Sequence, residues 1–269
     1  MNEGSRLGRV LVCPPGREYA RVDDTVRQNF VAVPDAELAS AQHAALVRAL
    51  ERAGAEVVEI RELEGHPNSV FVRDVALVTG AGAVRLRMGL PARRGEEDWM
   101  AAGLGAFGVE EVGGIEPPGT VEGGDVFLMG EVALVGLSER ANAEGARQLT
   151  ELLGHLGCRV RTAPVPPPAF HLGSLLSPVG AERVVCVAGT LPPEFLEGLD
   201  VIEVPRASAA TTANVLCLGE GDVLADVTES PETLDALDRA GVRIHALDLS
   251  EFAKGSGGPT CLALPLARG

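Results

Sequence analysis

Arg52-Ala53-Gly54-Ala55-Glu56-Val57-Val58 reads as the end of a helix, a glycine stop and the start of a short strand. Glycine suits the stop because it enters the left-handed region without a Cβ clash, which ends a helix before a strand. The phrase returns as Ala106-Phe107-Gly108-Val109-Glu110-Glu111-Val112 and as His155-Leu156-Gly157-Cys158-Arg159-Val160. It returns again as Leu196-Glu197-Gly198-Leu199-Asp200-Val201-Ile202 and as Arg239-Ala240-Gly241-Val242-Arg243-Ile244. Helix starts stand at suitable distances upstream. Asp35 precedes Ala36–Ala53, where Leu38, Ala41, Ala45, Ala49 and Ala53 fall at helical steps. Ser230-Pro231 precedes Glu232–Ala240, with Pro suited to the first helical position. Asn142–Leu153 carries Leu149, Leu152 and Leu153 on one side.

Working outward, most helices follow a pair of apolar runs joined by a glycine-containing turn, a hairpin signal. The pairs are Val70–Val78 with Ala83–Leu86, Val126–Leu128 with Val132–Val135, Leu175–Pro178 with Arg183–Ala188, and Val215–Leu218 with Asp222–Asp226. A fifth pair is split between the chain ends, Cys261–Leu264 against Arg9–Val12. The unit is therefore strand, strand, helix, strand, at roughly 40–55 residues, the spacing of a repeat architecture. No linker or low-complexity stretch divides the units. An ordinary α/β chain also contains helix–Gly–strand joints, but five in order favour a radial array. The expectation is one α/β domain over residues 1–269, a five-bladed propeller closed by pairing its two ends.

The 269 residues are 46% hydrophobic and only 3% aromatic, so the core is built mostly from Val, Leu and Ala. A formal charge of −15 argues against a nucleic-acid partner and suits a cationic ligand. Five cysteines without a C-x-x-C pair give no zinc or redox motif and read as reduced thiols of the cytoplasm. The N-terminus lacks a signal-peptide pattern, and no apolar run approaches the roughly 20 residues of a membrane span.

Chemistry-bearing residues follow the repeat. Asn68 and Asp74, Glu122, His171, Asn214 and Cys261 each stand at or near the loop opening a different unit. Equivalent loops of a radial array converge on its axis, so a thiol, an imidazole and a carboxylate distant in sequence would meet, as nucleophilic catalysis requires. Each group alone has a plainer reading. Cys261 is a buried thiol, Glu122 and Asp125 brace tight turns, and Asn214, in Thr211-Thr212-Ala213-Asn214, shapes a turn. Arg87 and Arg140 are solvated, and Arg93-Arg94 marks a helix entry. Cys13, Cys158, Cys186 and Cys217 read as core or near-core residues, and His43, His66, His155 and His245 as surface or capping residues.

The ordered set of motifs resembles the dimethylarginine dimethylaminohydrolase family of the guanidino-group-modifying superfamily, whose fold is the five-bladed α/β propeller, or pentein. The matching stretches are Ser69–Val78, Arg87-Met88-Gly89-Leu90-Pro91-Ala92-Arg93-Arg94, Glu122-Gly123-Gly124-Asp125-Val126, Val135–Asn142, His171-Leu172-Gly173-Ser174 and Gly257-Gly258-Pro259-Thr260-Cys261. The resemblance implies that Cys261 is the nucleophile that attacks the guanidinium carbon. It implies that His171 is the general acid/base, Glu122 the acid that orients it, and Asp74 a carboxylate that holds the guanidinium. Arg87 and Arg140 correspond to the pair that holds the substrate α-carboxylate. The implied reaction converts dimethylarginine to citrulline and dimethylamine through a covalent S-thiouronium, without metal or cofactor.

Two positions depart from the family. Asn68 stands where an aspartate helps bind the α-amine, and Arg73 where a glutamate precedes Asp74. Two readings are open: both change the charge of the pocket and so the substrate, or Arg73 points outward to a surface acid. The segment 17–34 matches poorly and reads as a loop over the site. Rival activities are hydrolysis or deimination of arginine, agmatine or another guanidino acid, and amidino transfer. A non-catalytic pentein-fold binding protein is the rival from another class. A small guanidino compound is the expected partner, and the assembly is a monomer or a homodimer.

Overall fold

Every one of the five stop glycines, Gly54, Gly108, Gly157, Gly198 and Gly241, has a positive φ, between 73° and 88°. Each is followed by a strand that completes a three-stranded sheet. The structure, a computed structural model, describes residues 1–208, 212–228 and 230–269. In chain order, β1 (Leu7–Val12), α1 (Ala36–Arg52) and β2 (Glu56–Glu59) begin the first sheet. The second contains β3 (Ala76–Val78), β4 (Ala83–Arg85) and β5 (Glu111–Gly114), with α2 (Glu96–Ala106) before its last strand. The third contains β6 (Val126–Met129), β7 (Val132–Leu137), α3 (Ala143–His155) and β8 (Arg159–Pro164). The fourth contains β9 (Leu176–Gly180), β10 (Arg183–Val187) and β11 (Asp200–Val204). The fifth contains β12 (Leu216–Gly219), β13 (Asp222–Asp226), α4 (Pro231–Arg239) and β14 (Arg243–Leu247). After a short turn, α5 (Ser250–Ala253), the chain returns as β15 (Leu264–Arg268) to pair with β1.

Pairing within each sheet is uniform. The first two strands are antiparallel and the third runs parallel to the middle one. In the first blade β15 supplies the antiparallel strand and β2 the parallel one. A parallel neighbour requires a crossover, which explains why a helix precedes the last strand. The helices start on the expected caps, with Asp35 accepting from Leu38 N at 2.9 Å and Asn142 from Gly145 N at 2.8 Å. Buried apolar clusters bridge neighbouring blades: Val126 and Leu128 of β6, for example, share one with Leu77 of β3.

Three expectations are corrected. The fourth unit has no α-helix: between Val187 and Asp200 only a 3₁₀ turn, Pro193–Phe195, is formed. Pro192 and Pro193 lack N–H donors, and the connection is too short for more. The run Val70–Val78 is a strand only from Ala76, because Pro67–Val70 and Val72–Asp74 form 3₁₀ turns. Short apolar runs buried all round give no period to separate the two cases. Likewise Cys261 precedes its strand. The strand starts at Leu264, after turns closed by Cys261 N to Gly258 O and Ala263 N to Thr260 O.

These departures position the site. Turns at Val72–Asp74, Gly123–Asp125 and Leu172–Ser174 open the second, third and fourth blades and touch one another near the axis. On the other side of these turns the N-terminal arm closes the ring. Glu3 N donates to Leu128 O at 2.7 Å, and Asn2 Nδ2 to Ala181 O at 2.9 Å. Gly4 runs so close to the fourth blade that a Cβ would sit 1.7 Å from Gly180 O.

Candidate active site

Glu122 and His171 hold the same place in successive blades, each in extended conformation immediately before its 3₁₀ turn. That conformation sends both side chains inward, where Glu122 Oε2 meets His171 Nε2 at 2.8 Å. The other carboxylate oxygen, Oε1, accepts from the N–H groups of Gly89 and Leu90 at 2.8 and 2.9 Å. The carboxylate is therefore fixed from two sides. On the far edge of the imidazole, Nδ1 lies 3.9 Å from Asp74 Oδ1. Gly124 makes this approach possible, since a Cβ there would fall 2.5 Å from His171 Nδ1 and 3.0 Å from Asp74 Oδ1. Asp125 ties the loops behind: its Oδ1 accepts from Leu172 N and its Oδ2 from Ser138 Oγ.

Cys261 faces the same small cavity as His171, Glu122 and Asp74. Its loop is held by Asn214, whose Oδ1 accepts from Thr260 N at 3.2 Å and Thr260 Oγ1 at 3.0 Å. The loop packs on Asn214 closely enough that a Cβ on Gly258 would lie 2.7 Å from its Cγ. Thr211, quoted with Asn214 above, lies outside the described residues. Asp74 Oδ2 accepts from Arg93 Nη1 at 2.6 Å, whereas Asp74 Oδ1 is buried without a hydrogen-bond partner. A buried carboxylate oxygen in that state is costly, and an incoming N–H donor would satisfy it.

The family model described as arginine deiminase matches residues 62–161 and 196–268. The N(G),N(G)-dimethylarginine dimethylaminohydrolase of Pseudomonas aeruginosa is 31% identical over 244 residues, covering 90% of this chain and 93% of that protein. The chain belongs to the dimethylarginine dimethylaminohydrolase family. The Streptomyces coelicolor enzyme of the same name is 33% identical, covering 86% of this chain and 87% of its own. A cysteine-to-serine mutant of the Pseudomonas protein complexed with citrulline superposes with a TM-score of 0.83 at 29% identity. That superposition covers 96% of this chain and 99% of the other. The fold is thus the five-bladed α/β propeller of the family.

Of the residues singled out in the sequence, Cys261, His171, Glu122, Asp74, Arg140 and Asn68 line one cavity. Arg87 and Arg73 do not. Arg87 Nη1 donates to Gly119 O, and its backbone pairs with Val121. The second arginine at the cavity is Arg93, read from the sequence as a helix-entry feature. It is 3% exposed, and besides Asp74 it grips Glu96 at 2.9 and 2.7 Å. The acid three residues on, Glu96, was the available signal, although the two residues lie on either side of a break in the helix, with Arg94 extended and Gly95 left-handed. Arg73 neither faces the cavity nor points outward. It is buried on Glu3, with contacts of 2.6 and 2.8 Å, and its guanidinium lies 5.3 Å from the Phe127 ring. Its positive charge is matched by Glu3 rather than added to the pocket.

The segment 17–34 does cover the site. Asn29, with φ 60°, lines the cavity, and its carbonyl accepts from Ser256 Oγ at 3.2 Å. Gln28 O accepts from Asn68 Nδ2 at 3.0 Å, and Val31 N donates to Lys254 O at 2.7 Å. Inside, burial would push the Glu122 carboxyl up, but the bonded His171 with Arg93 and Arg140 holds it down at about 2. Burial opposes the imidazolium of His171 too, yet Asp74, Asp125 and Glu122 raise it to about 9. Burial and the Asp74 charge push the Cys261 thiol up to about 11. Asp125 is raised by burial to about 7. These directions favour a neutral thiol and a charged imidazole among the groups lining the cavity.

Donor atoms of Asp74, Glu122 and His171 lie within 4.8 Å of one another, a spacing that would admit a metal ion. Glu122 and Asp74 Oδ2 are, however, already engaged by N–H donors. The one open oxygen suits an organic cation that brings its own N–H groups.

Proposed function

We propose that the protein is a cysteine-dependent hydrolase of guanidino C–N bonds, with Nω,Nω-dimethylarginine converted to citrulline and dimethylamine. The observation that carries this reading is a single cavity joining Cys261, the His171–Glu122 pair and the unpartnered Asp74 Oδ1. A guanidinium is a weak electrophile, since resonance shares its charge over three nitrogens. Asp74 Oδ1 receives its N–H donors and fixes the plane of the cation. The cation in turn favours the Cys261 thiolate over the thiol, and the thiol proton leaves to solvent.

Sulfur then bonds to the guanidinium carbon. His171, an imidazolium held by Glu122, protonates the substituted nitrogen. The C–N bond breaks, dimethylamine departs, and a thiouronium cation remains on Cys261. Neutral His171 takes a proton from a water that adds to the same carbon. The S–C bond then breaks, giving the ureido product and the free sulfur. One further proton passes from the product to the released amine in water. Arg140 holds the carboxylate end of the substrate.

Incubation with dimethylarginine should release citrulline and dimethylamine in equal amounts, with Cys261→Ser inactive and His171→Ala devoid of turnover but folded. Turnover by Cys261→Ser, or His171→Ala within a few-fold of wild type, would refute the assigned roles. A second reading, loss of ammonia from an unmethylated guanidine, is favoured by the match to the arginine deiminase family model. The amine released from arginine in the same assay separates the two.

A further inference from the structure

An arginine-type substrate brings three charged groups: a guanidinium, a carboxylate and an α-ammonium. The cavity has a ready partner for the first two. Asp74 Oδ1 is open to the guanidinium. Arg140 is 6% exposed, and its nearest acid, Glu139, is 3.4 Å away with a side chain 67% exposed, so the guanidinium can take a substrate carboxylate. For an α-ammonium the site offers no spare anion. Among the described residues lining the cavity, only Asp74 and Glu122 are carboxylates. Both oxygens of Glu122 are bonded, and Asp74 Oδ2 is held by Arg93. In the covering segment Gln28 O already accepts from Asn68 and Asn29 O from Ser256, and a carbonyl brings a dipole rather than a counter-charge. Asn68 itself is neutral and contributes one amide oxygen.

We infer that this site recognises its substrate by guanidinium and carboxylate alone, so that ω-guanidino carboxylates lacking an α-ammonium are substrates, with Asn68 as the residue that sets this range. The inference rests on the hydrolase reading above and adds a substrate class to it. An α-ammonium buried here would face dipoles rather than a counter-charge, which offsets little of its desolvation. Removing the ammonium therefore removes a cost and loses no ion pair.

The test uses a matched pair, dimethylarginine and 5-(N′,N′-dimethylguanidino)pentanoate, which differ only in the α-amine. For wild type, kcat/KM for the des-amino compound should equal or exceed that for dimethylarginine. In Asn68→Asp the ratio should swing toward dimethylarginine by about tenfold or more, through KM, since a charged partner for the ammonium is then present. The same two ligands are titrated into the Cys261→Ser variant by calorimetry, which reads binding without chemistry. A wild-type preference for dimethylarginine above about threefold, in either turnover or binding, overturns the inference. So does failure of both ligands to bind, or an unchanged ratio in folded Asn68→Asp. Equal or better binding of the des-amino compound without turnover of either would sink the hydrolase reading, and with it the word substrate, and leave standing only recognition by guanidinium and carboxylate.

Discussion

Replacing Arg73 with Met should destabilise this protein strongly, although Arg73 lies off the cavity. The guanidinium and the Glu3 carboxylate are each about 5% exposed and meet at 2.6 and 2.8 Å. Arg73 Nη2 also donates to Val126 O at 2.6 Å, and Glu3 Oε1 accepts from Leu128 N at 3.0 Å. Methionine keeps the length of the stem and the contact with Phe127, but strands a buried carboxylate. Breaking one side of a buried pair costs about 3–5 kcal/mol. Glu3→Leu should cost a similar amount, by stranding the guanidinium. The double variant Glu3→Leu/Arg73→Met leaves no uncompensated charge, so its loss should be far smaller than the sum of the two. Urea unfolding followed by the single tryptophan, Trp99, gives the three values at pH 7. Single-variant losses below about 1 kcal/mol, or losses that simply add, would mean the pair is not the buried clasp described. Folded Arg73→Met should also hydrolyse dimethylarginine within a few-fold of wild type, since Arg73 lies off the cavity.

In Glu122→Gln the His171 imidazolium keeps Asp74 and Asp125 but loses the charge of its hydrogen-bonded partner, and should titrate below its value of about 9, read by NMR of labelled imidazole; an unmoved titration would contradict the pairing. Because the His171 value is raised in the fold from 6.5, its stabilising contribution should be complete below pH 6.5 and vanish as pH climbs through 9. Glu122 is depressed from 4.5, so its share should be complete above pH 4.5 and vanish as pH drops through 2. Gly124→Ala, which drives a Cβ against His171, should cut kcat about 100-fold. The exposed helical Gly154→Ala, with nothing within 4 Å of its new Cβ, should leave kcat unchanged and add stability of about 0.5–1 kcal/mol. Equal kcat in the two variants would show that the room beside His171 is not needed.

The repeat was legible because it is local: a stop glycine with positive φ and the strand after it lie within a few residues of each other. The pairing of chain ends could also be read, since it needed only one apolar run without a partner. The missing helix of the fourth unit was hidden because Gly198 and its strand keep the pattern while the prolines upstream remove the helix. The site divides in the same way. Glu122, His171 and Cys261 announce themselves by glycine-rich turns that cannot be filled without collision. Arg87 and Arg93 both stand within two residues of a glycine, Gly89 and Gly95, and only the path of the chain between β4 and α2 decides which one reaches inward. Arg73 was opaque for a different reason. Its partner is 70 residues away, on an arm whose sequence carries no motif.

The cover over the site is fastened by what every amino acid has in common. Asn68 and Ser256 grasp the carbonyls of Gln28 and Asn29, and Val31 uses its amide. Apart from the buried Tyr19 and Phe30, which pack into the core, side chains on such a strap are free to drift over generations while the clasp survives. Resemblance to relatives would then fade along this stretch sooner than its shape, and new tastes in small molecules can be tried there at little risk to the fold.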